Sequence, residues 1–353
     1  MNIMTRTVHA NGIDQAVTEW GPEDGIPVLL IHGNCSSGAY WEPFVRRLVA
    51  ARTDVRVVAP DLRGYGHSAA APVDATRGLR DFADDVAALV DVVFGPGVRP
   101  VVAGHSMGGG VAMQLTIDHP DRVAGLLLES TLSPYGFGGT RDVNGTLTTP
   151  DFAGTGAGTA NPTFVARLEA KDHTDDDPTS PRQVMRTTYV ADPASFGEDE
   201  DALLETVLST VVSEDNYPGD STTAATWPGM GPGPRGVLNA MSPKYFNVAD
   251  ALLALPTKPP VVWVHGALDA IVGDATLFDF AQLGKLGLVP GWPGEAECPP
   301  QPMVAQTRAV LDRYAGAGGS FTEVLLDGCG HSPHIERPAE FLDALVALLA
   351  HRP

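Results

Sequence analysis

The run Gly104-His105-Ser106-Met107-Gly108-Gly109 restricts the fold of this chain more than any other. It follows a short apolar stretch at residues 100–103 and precedes Val111-Ala112-Met113. The succession reads as a strand, a sharp turn and a buried helix. Glycines two residues on either side of the serine fit such a turn, because side chains there would meet neighbouring backbone. The turn carries the hydroxyl past the end of the strand, and the helix starting at Met107 aims its unpaired N–H groups at the same spot. Ser106 is therefore a candidate nucleophile.

A serine needs a base to become one. His331, in Gly328-Cys329-Gly330-His331-Ser332, comes just after a stretch at 321–326 that reads as the last strand. A loop there would deliver the imidazole to the same sheet edge as Ser106. The orienting carboxylate is expected after a late strand as well. Asp269 lies a short turn beyond the strand-like Val261-Val262-Trp263-Val264, where it would hold His331 in one tautomer. Glu129, at the end of Leu126-Leu127-Leu128, is the alternative acid, and Asp274 a weaker one. An oxyanion would be met by the backbone N–H groups of Asn34, in His32-Gly33-Asn34, and of Met107. Cys35 lacks the turn that would make it a nucleophile and reads as packing, while His334 reads as the approach to the final helix.

Around these residues the chain alternates short apolar runs with helical periodicity. Strands are expected at 28–31, 55–60, 100–103 and 123–128, with antiparallel edge strands near Val8 and Val17. Leu79, Phe82, Val86, Leu89 and Val93 recur at helical spacing. The alternation breaks at Pro134, where Gly, Thr and Pro dominate, including Gly154-Thr155-Gly156-Ala157-Gly158. Helical pieces then appear between acidic runs at 175–177 and 198–201, and sheet-like sequence resumes near Pro260. The division expected is a core at 1–133, an inserted, largely helical cap at 134–250, and the rest of the core at 251–353. The glycine-rich beginning of the insertion suggests a mobile lid. Residues 284–302 hold too much proline for a helix and read as a rigid surface loop.

Composition narrows the partners. The formal net charge of −20 argues against nucleic acid or an anionic membrane. Three cysteines, Cys35, Cys298 and Cys329, show no paired spacing, so neither disulfide framework nor zinc site is expected. The N-terminal residues lack the apolar run of a leader, and no stretch approaches a membrane span. A cytoplasmic protein acting on a small molecule follows as the expectation, with the oligomeric state left open.

Four features stand in order along the chain: His32-Gly33-Asn34, Asp61-Leu62-Arg63-Gly64-Tyr65-Gly66-His67-Ser68, Gly104-His105-Ser106-Met107-Gly108-Gly109 and Gly330-His331. Together they resemble the α/β-hydrolase superfamily, in its serine branch with an inserted cap. The resemblance implies an α/β fold with an eight-stranded, mostly parallel sheet, helices on both faces and a cap, and no metal or organic cofactor. It implies bracing roles for Asp61 and Arg63. Serine at position 106, rather than aspartate, departs from epoxide hydrolases and haloalkane dehalogenases. The activity expected is cleavage of an ester, thioester or lactone of a small, mainly apolar substrate through an acyl-enzyme on Ser106. Two alternatives stand beside it: an amidase of the proline-iminopeptidase kind, whose substrate amine the acidic runs would bind, and a slow-turnover ligand receptor. Tyr135, Phe137, Phe164, Tyr189, Trp227 and Phe246 are candidates for the pocket wall, with Tyr40 and Trp41 on its near side.

Overall fold

The computed structural model describes residues 3–351; Met1 and Asn2 of the N-terminal stretch lie outside them. Eight strands form one sheet: β1 (Ile3–Ala10), β2 (Ile13–Trp20), β3 (Ile26–Ile31), β4 (Val55–Pro60), β5 (Val101–His105), β6 (Gly125–Glu129), β7 (Val261–Gly266) and β8 (Phe321–Leu326). Their spatial order is β1-β2-β4-β3-β5-β6-β7-β8. Only the pairs β1/β2 and β2/β4 are antiparallel. From β3 the chain moves outward to β4, then crosses back to place β5 on the other side of β3. The two connections diverge there and leave a crevice beyond the strand ends, where open α/β sheets bind ligands.

Both faces of the sheet are covered, which explains strands with nearly unbroken apolar sequence. Alternation along β3 divides its side chains between two cores. Val28 and Leu30 pack with Phe44 and Leu48 of α1 (Glu42–Ala51) and with Phe341, Leu345 and Leu348 of the final helix. Leu29 and Ile31 pack on the other side with Phe82 and Val86 of α2 (Arg80–Val93) and Val111 and Met113 of α3 (Met107–Asp118). Helix α3 is buried from Met107 to Thr116 and reaches solvent only at its C-terminal end, at Asp118.

Residues 130–260 separate β6 from β7. They contain helices α4 (Pro162–Glu169) and α5 (Glu200–Leu208), a turn of helix at Pro181–Val184 that widens over Met185–Tyr189, and four short strands that sequence periodicity did not reveal. Phe164, Leu168, Leu203, Leu204 and Val207 belong to the same apolar cluster as Leu29 and Phe82. After β7 come α6 (Met303–Gly316) and, beyond β8, α7 (Pro338–Ala350). As expected from its prolines, the chain between Lys285 and Met303 holds no helix. Among the described residues no helix is long and apolar enough to cross a membrane.

The glycine-rich start of the inserted stretch is well tied down. Gly138 N–H donates to Gln301 Oε1 at 2.6 Å, Gly154 N–H to the Met230 carbonyl at 2.9 Å, and Ala157 N–H to Asn239 Oδ1 at 2.9 Å. Gly136, Gly138, Gly139, Gly145, Gly154 and Gly156 all have positive φ. The glycines meet a conformational need that composition alone reads as looseness.

Candidate active site

Ser106 sits between β5 and α3 with φ 55° and ψ −118°, a conformation that costs a non-glycine residue roughly 1–3 kcal/mol. Its surroundings hold it there. The Ser106 N–H donates to the Glu129 carbonyl at 2.8 Å, and its own carbonyl accepts from Gly109 N–H at 3.0 Å. The flanking glycines are enforced by distance. A Cβ on Gly104 would lie 2.3 Å from the Gly108 carbonyl oxygen, and one on Gly108 would lie 2.3 Å from that of Ile31. The turn is thus wedged between β3 and α3.

Asp269 and His331 arrive from the loops after β7 and β8. These loops touch at Gly266, where a Cβ would come within 2.1 Å of the Gly330 carbonyl. Leu268 N–H donates across to the Cys329 carbonyl at 2.8 Å. His331 Nδ1 lies 2.9 Å from Asp269 Oδ1 and 2.8 Å from Oδ2, with both side chains buried. Asp269 Oδ1 also accepts the N–H groups of Ile271 at 2.8 Å and Val272 at 2.9 Å. The carboxylate is therefore fixed by its own turn before it meets the imidazole. His331 is held from behind by its carbonyl, which accepts from His105 Nε2 at 2.9 Å.

Glu129, the alternative acid, is placed elsewhere. Its Oε1 accepts from His334 N–H at 2.7 Å and lies 2.9 Å from His334 Nδ1, and neither side chain is exposed. The short helix Pro333–Glu336 brings His334, rather than His331, over the end of β6. His334 lies in the approach to α7, as expected, but its side chain is a core residue. Asp274 caps α6 through the N–H groups of Val304 and Ala305 and takes no part in the His331 pair.

The proposed oxyanion residues flank Ser106. Met107 is the first residue of α3, so its N–H precedes the helix's internal bonding. Asn34 follows β3, and its side-chain Oδ1 accepts from Tyr65 Oη at 2.7 Å, a contact that sequence reasoning missed. The segment around Tyr65 is braced as the motif implied. Asp61 accepts from Gly38 N–H and His67 N–H, both at 2.8 Å, and Arg63 grips Asp85 at 2.6 and 2.8 Å. Cys35 is buried and its thiol is pushed up to about 12 by desolvation, which agrees with a packing role.

A cavity of about 410 Å³ opens over these groups, lined by Asn34, Ser106, Met107 and His331. Its wall takes Phe137, Phe164 and Tyr189 from the expected aromatics, together with Tyr217, Phe278 and Phe280, which were not expected. Tyr135, Trp227 and Phe246 are not part of it, and Tyr40 and Trp41 are buried in the core instead. Among the described residues, no Asp, Glu, Lys or Arg lines the cavity. The threonine hydroxyls on its wall already donate elsewhere: Thr155 to the Phe152 carbonyl, Thr159 to that of Gly156, Thr187 to that of Gln183, Thr188 to that of Val184, and Thr179 to Asp177. Both acidic runs engage arginines, with Asp175 on Arg186, Asp176 on Arg167, Asp199 on Arg46 and Glu200 on Arg182.

Comparison with known proteins agrees with this architecture. The profile of the alpha/beta hydrolase family matches residues 28–344. Lipase LipV of Mycobacterium tuberculosis is 37% identical over 145 residues, 40% of this chain and 51% of that protein. A 2-hydroxymuconate semialdehyde hydrolase of a Pseudomonas species is 32% identical over 126 residues, 35% of this chain and 42% of that protein. The chain thus spans about half the length, or less, of these curated relatives. Among solved structures, the esterase RhEst1 of a Rhodococcus species superposes with a TM-score of 0.62 at 20% identity, covering 100% of both chains. At that identity the likeness is one of fold.

Proposed function

The chain belongs to the alpha/beta hydrolase family, and from that premise we propose that it is a serine hydrolase of neutral, mainly apolar esters, thioesters or lactones. One observation carries the reading: Asp269 engages His331 Nδ1 at 2.8 Å while Ser106, in its strained turn, opens onto the same cavity as His331. With Nδ1 donating to the carboxylate, Nε2 is left as the base. Ser106 Oγ attacks the acyl carbon as His331 takes its proton. The carbonyl oxygen gains the negative charge and is met by the N–H groups of Asn34 and Met107. The tetrahedral intermediate collapses, the C–O or C–S bond breaks, and His331 returns the proton to the leaving group. Water, deprotonated by His331, then releases the acid and restores Ser106.

The substrate class follows from the cavity wall. Its volume suits a small ligand, and it offers neither a charged partner nor, among its threonines, an unengaged hydroxyl donor. A charged substrate would give up hydration there without meeting a counter-ion. The same wall weighs against the aminopeptidase alternative, because a substrate amine would find no carboxylate. We further propose that residues 134–250 serve as the cap, since Phe137, Phe164 and Tyr189 come from that stretch.

The test is hydrolysis of p-nitrophenyl esters from acetate to decanoate, with fluorophosphonate labelling, in the wild type and Ser106→Ala. Turnover and label should both vanish in the variant. Undiminished turnover in Ser106→Ala would remove the serine mechanism.

A further inference from the structure

We infer that His32 is a positioning residue that aims the Asn34 N–H into the oxyanion site by holding the Gly33 carbonyl on the opposite side of their shared peptide. The inference rests on the proposed role of Ser106. Its basis is a pair of hydrogen bonds that fix the ring in one orientation and one tautomer. The Leu62 N–H donates to His32 Nε2 at 2.9 Å, so this nitrogen must be unprotonated. The proton therefore lies on Nδ1, which donates to the Gly33 carbonyl at 2.8 Å. A trans peptide is planar, and the carbonyl of Gly33 and the N–H of Asn34 point in opposite directions across it. Holding the oxygen against His32 directs the N–H away from His32.

The site lies next to this peptide. The Cα of Gly33 lies against the nucleophile's turn, with its Cβ position only 3.1 Å from Ser106 Cβ. Asn34 itself lines the cavity. Glycine at 33 would otherwise let this peptide rotate at little cost, so a fixed donor needs an external restraint. Tyr65 completes the clamp: its ring packs edge-on against His32, with centroids 5.2 Å apart, and its hydroxyl donates to Asn34 Oδ1 at 2.7 Å. His32 is fully buried, and desolvation pushes it down to about 4, so the neutral tautomer persists across the working range of a hydrolase.

Two substitutions separate orientation from packing. The amide nitrogen of asparagine reaches the place of Nδ1, whereas glutamine places its oxygen near Nε2. His32→Asn thus keeps the donor to Gly33 and gives up the Leu62 tether. His32→Gln keeps the tether and gives up the donor. Loss of one oxyanion donor typically costs about 10²–10³ in kcat. His32→Gln should lose about 10²-fold in kcat and a similar factor in affinity for an aryl boronate, whose tetrahedral adduct on Ser106 places an oxygen in the same site, with KM for the ester little changed. His32→Asn should restore most of both.

Equal damage in the two variants, or wild-type kcat and boronate affinity in His32→Gln, would overturn the assignment. Should a variant fail to fold, nitrogen NMR of the wild-type histidines decides the question: His32 must carry its proton on Nδ1, and a proton on Nε2 refutes the proposal. Activity surviving in Ser106→Ala would instead remove the serine mechanism itself.

Discussion

Replacing Asp269 by asparagine tests the division of labour between the two carboxylates at the sheet edge. Asp269 Oδ1 is claimed by the N–H groups of Ile271 and Val272, at 2.8 and 2.9 Å, and only an oxygen satisfies them. The amide nitrogen of Asp269→Asn must then occupy the Oδ2 position, 2.8 Å from His331 Nδ1. Two N–H groups would face each other there, and the imidazole avoids this by moving its proton to Nε2. In that tautomer it cannot accept from Ser106. The fold should survive, because the turn keeps its two amide bonds, while kcat on p-nitrophenyl butyrate falls about 10⁴-fold, or about 5 kcal/mol. Glu129→Gln is the matched control. Its carboxylate serves His334, so the variant should keep kcat within about tenfold and lose roughly 1–3 kcal/mol of stability from weakened charged hydrogen bonds. Steady-state kinetics with urea melts on both variants gives the comparison. A Glu129→Gln enzyme that loses turnover while Asp269→Asn retains it would refute the assignment of the acid.

Two further outcomes follow from packing and burial. Gly108→Ala drives a Cβ to 2.3 Å from the Ile31 carbonyl and 2.5 Å from that of His32, both backbone atoms, and should cost more than about 3 kcal/mol in a urea melt. Gly316→Ala, with open space around it, should stay within about 1 kcal/mol, and equal stabilities would refute the steric account. On acidification, His32 held at about 4 against an ordinary 6.5 stays neutral in the folded chain while the unfolded chain takes up a proton. Stability therefore falls as pH drops from about 6.5 towards 4, by up to about 3 kcal/mol from this group. Burial also holds His105 well below its ordinary value, which adds in the same direction. Urea midpoints that are equal at pH 7 and pH 5 would contradict this.

The features legible in the sequence were those whose signal is local. The strands announce themselves as apolar runs, and Ser106 as a serine between glycines that the turn requires. Asp269 and His331 could be singled out as candidates because each follows a strand closely. The features that escaped depend on contacts between distant segments. Glu129 and Asp269 both end strands, and nothing nearby says that His334 turns inward to claim the first. The union of Tyr65 with Asn34 and the lining of the cavity by Phe278 and Phe280 are likewise products of assembly. Gln301 and Gln306 read as unremarkable loop and helix residues, yet both are buried. Gln306 Oε1 accepts from Ser133 Oγ at 2.7 Å and from Gln301 Nε2 at 2.8 Å, joining the inserted stretch to α6.

The crevice between β3 and β5 bears on how the protein is made. Asn34, Ser106 and Met107 belong to strand ends that pair early in the chain, whereas Asp269 and His331 follow the whole inserted stretch. Contacts that seat the late loop, such as Tyr40 with Ser332, span 292 positions. During synthesis the growing polypeptide carries the proposed nucleophile and oxyanion donors well before the proposed base. On the proposed mechanism a nascent chain would stay chemically silent until the final loop docks.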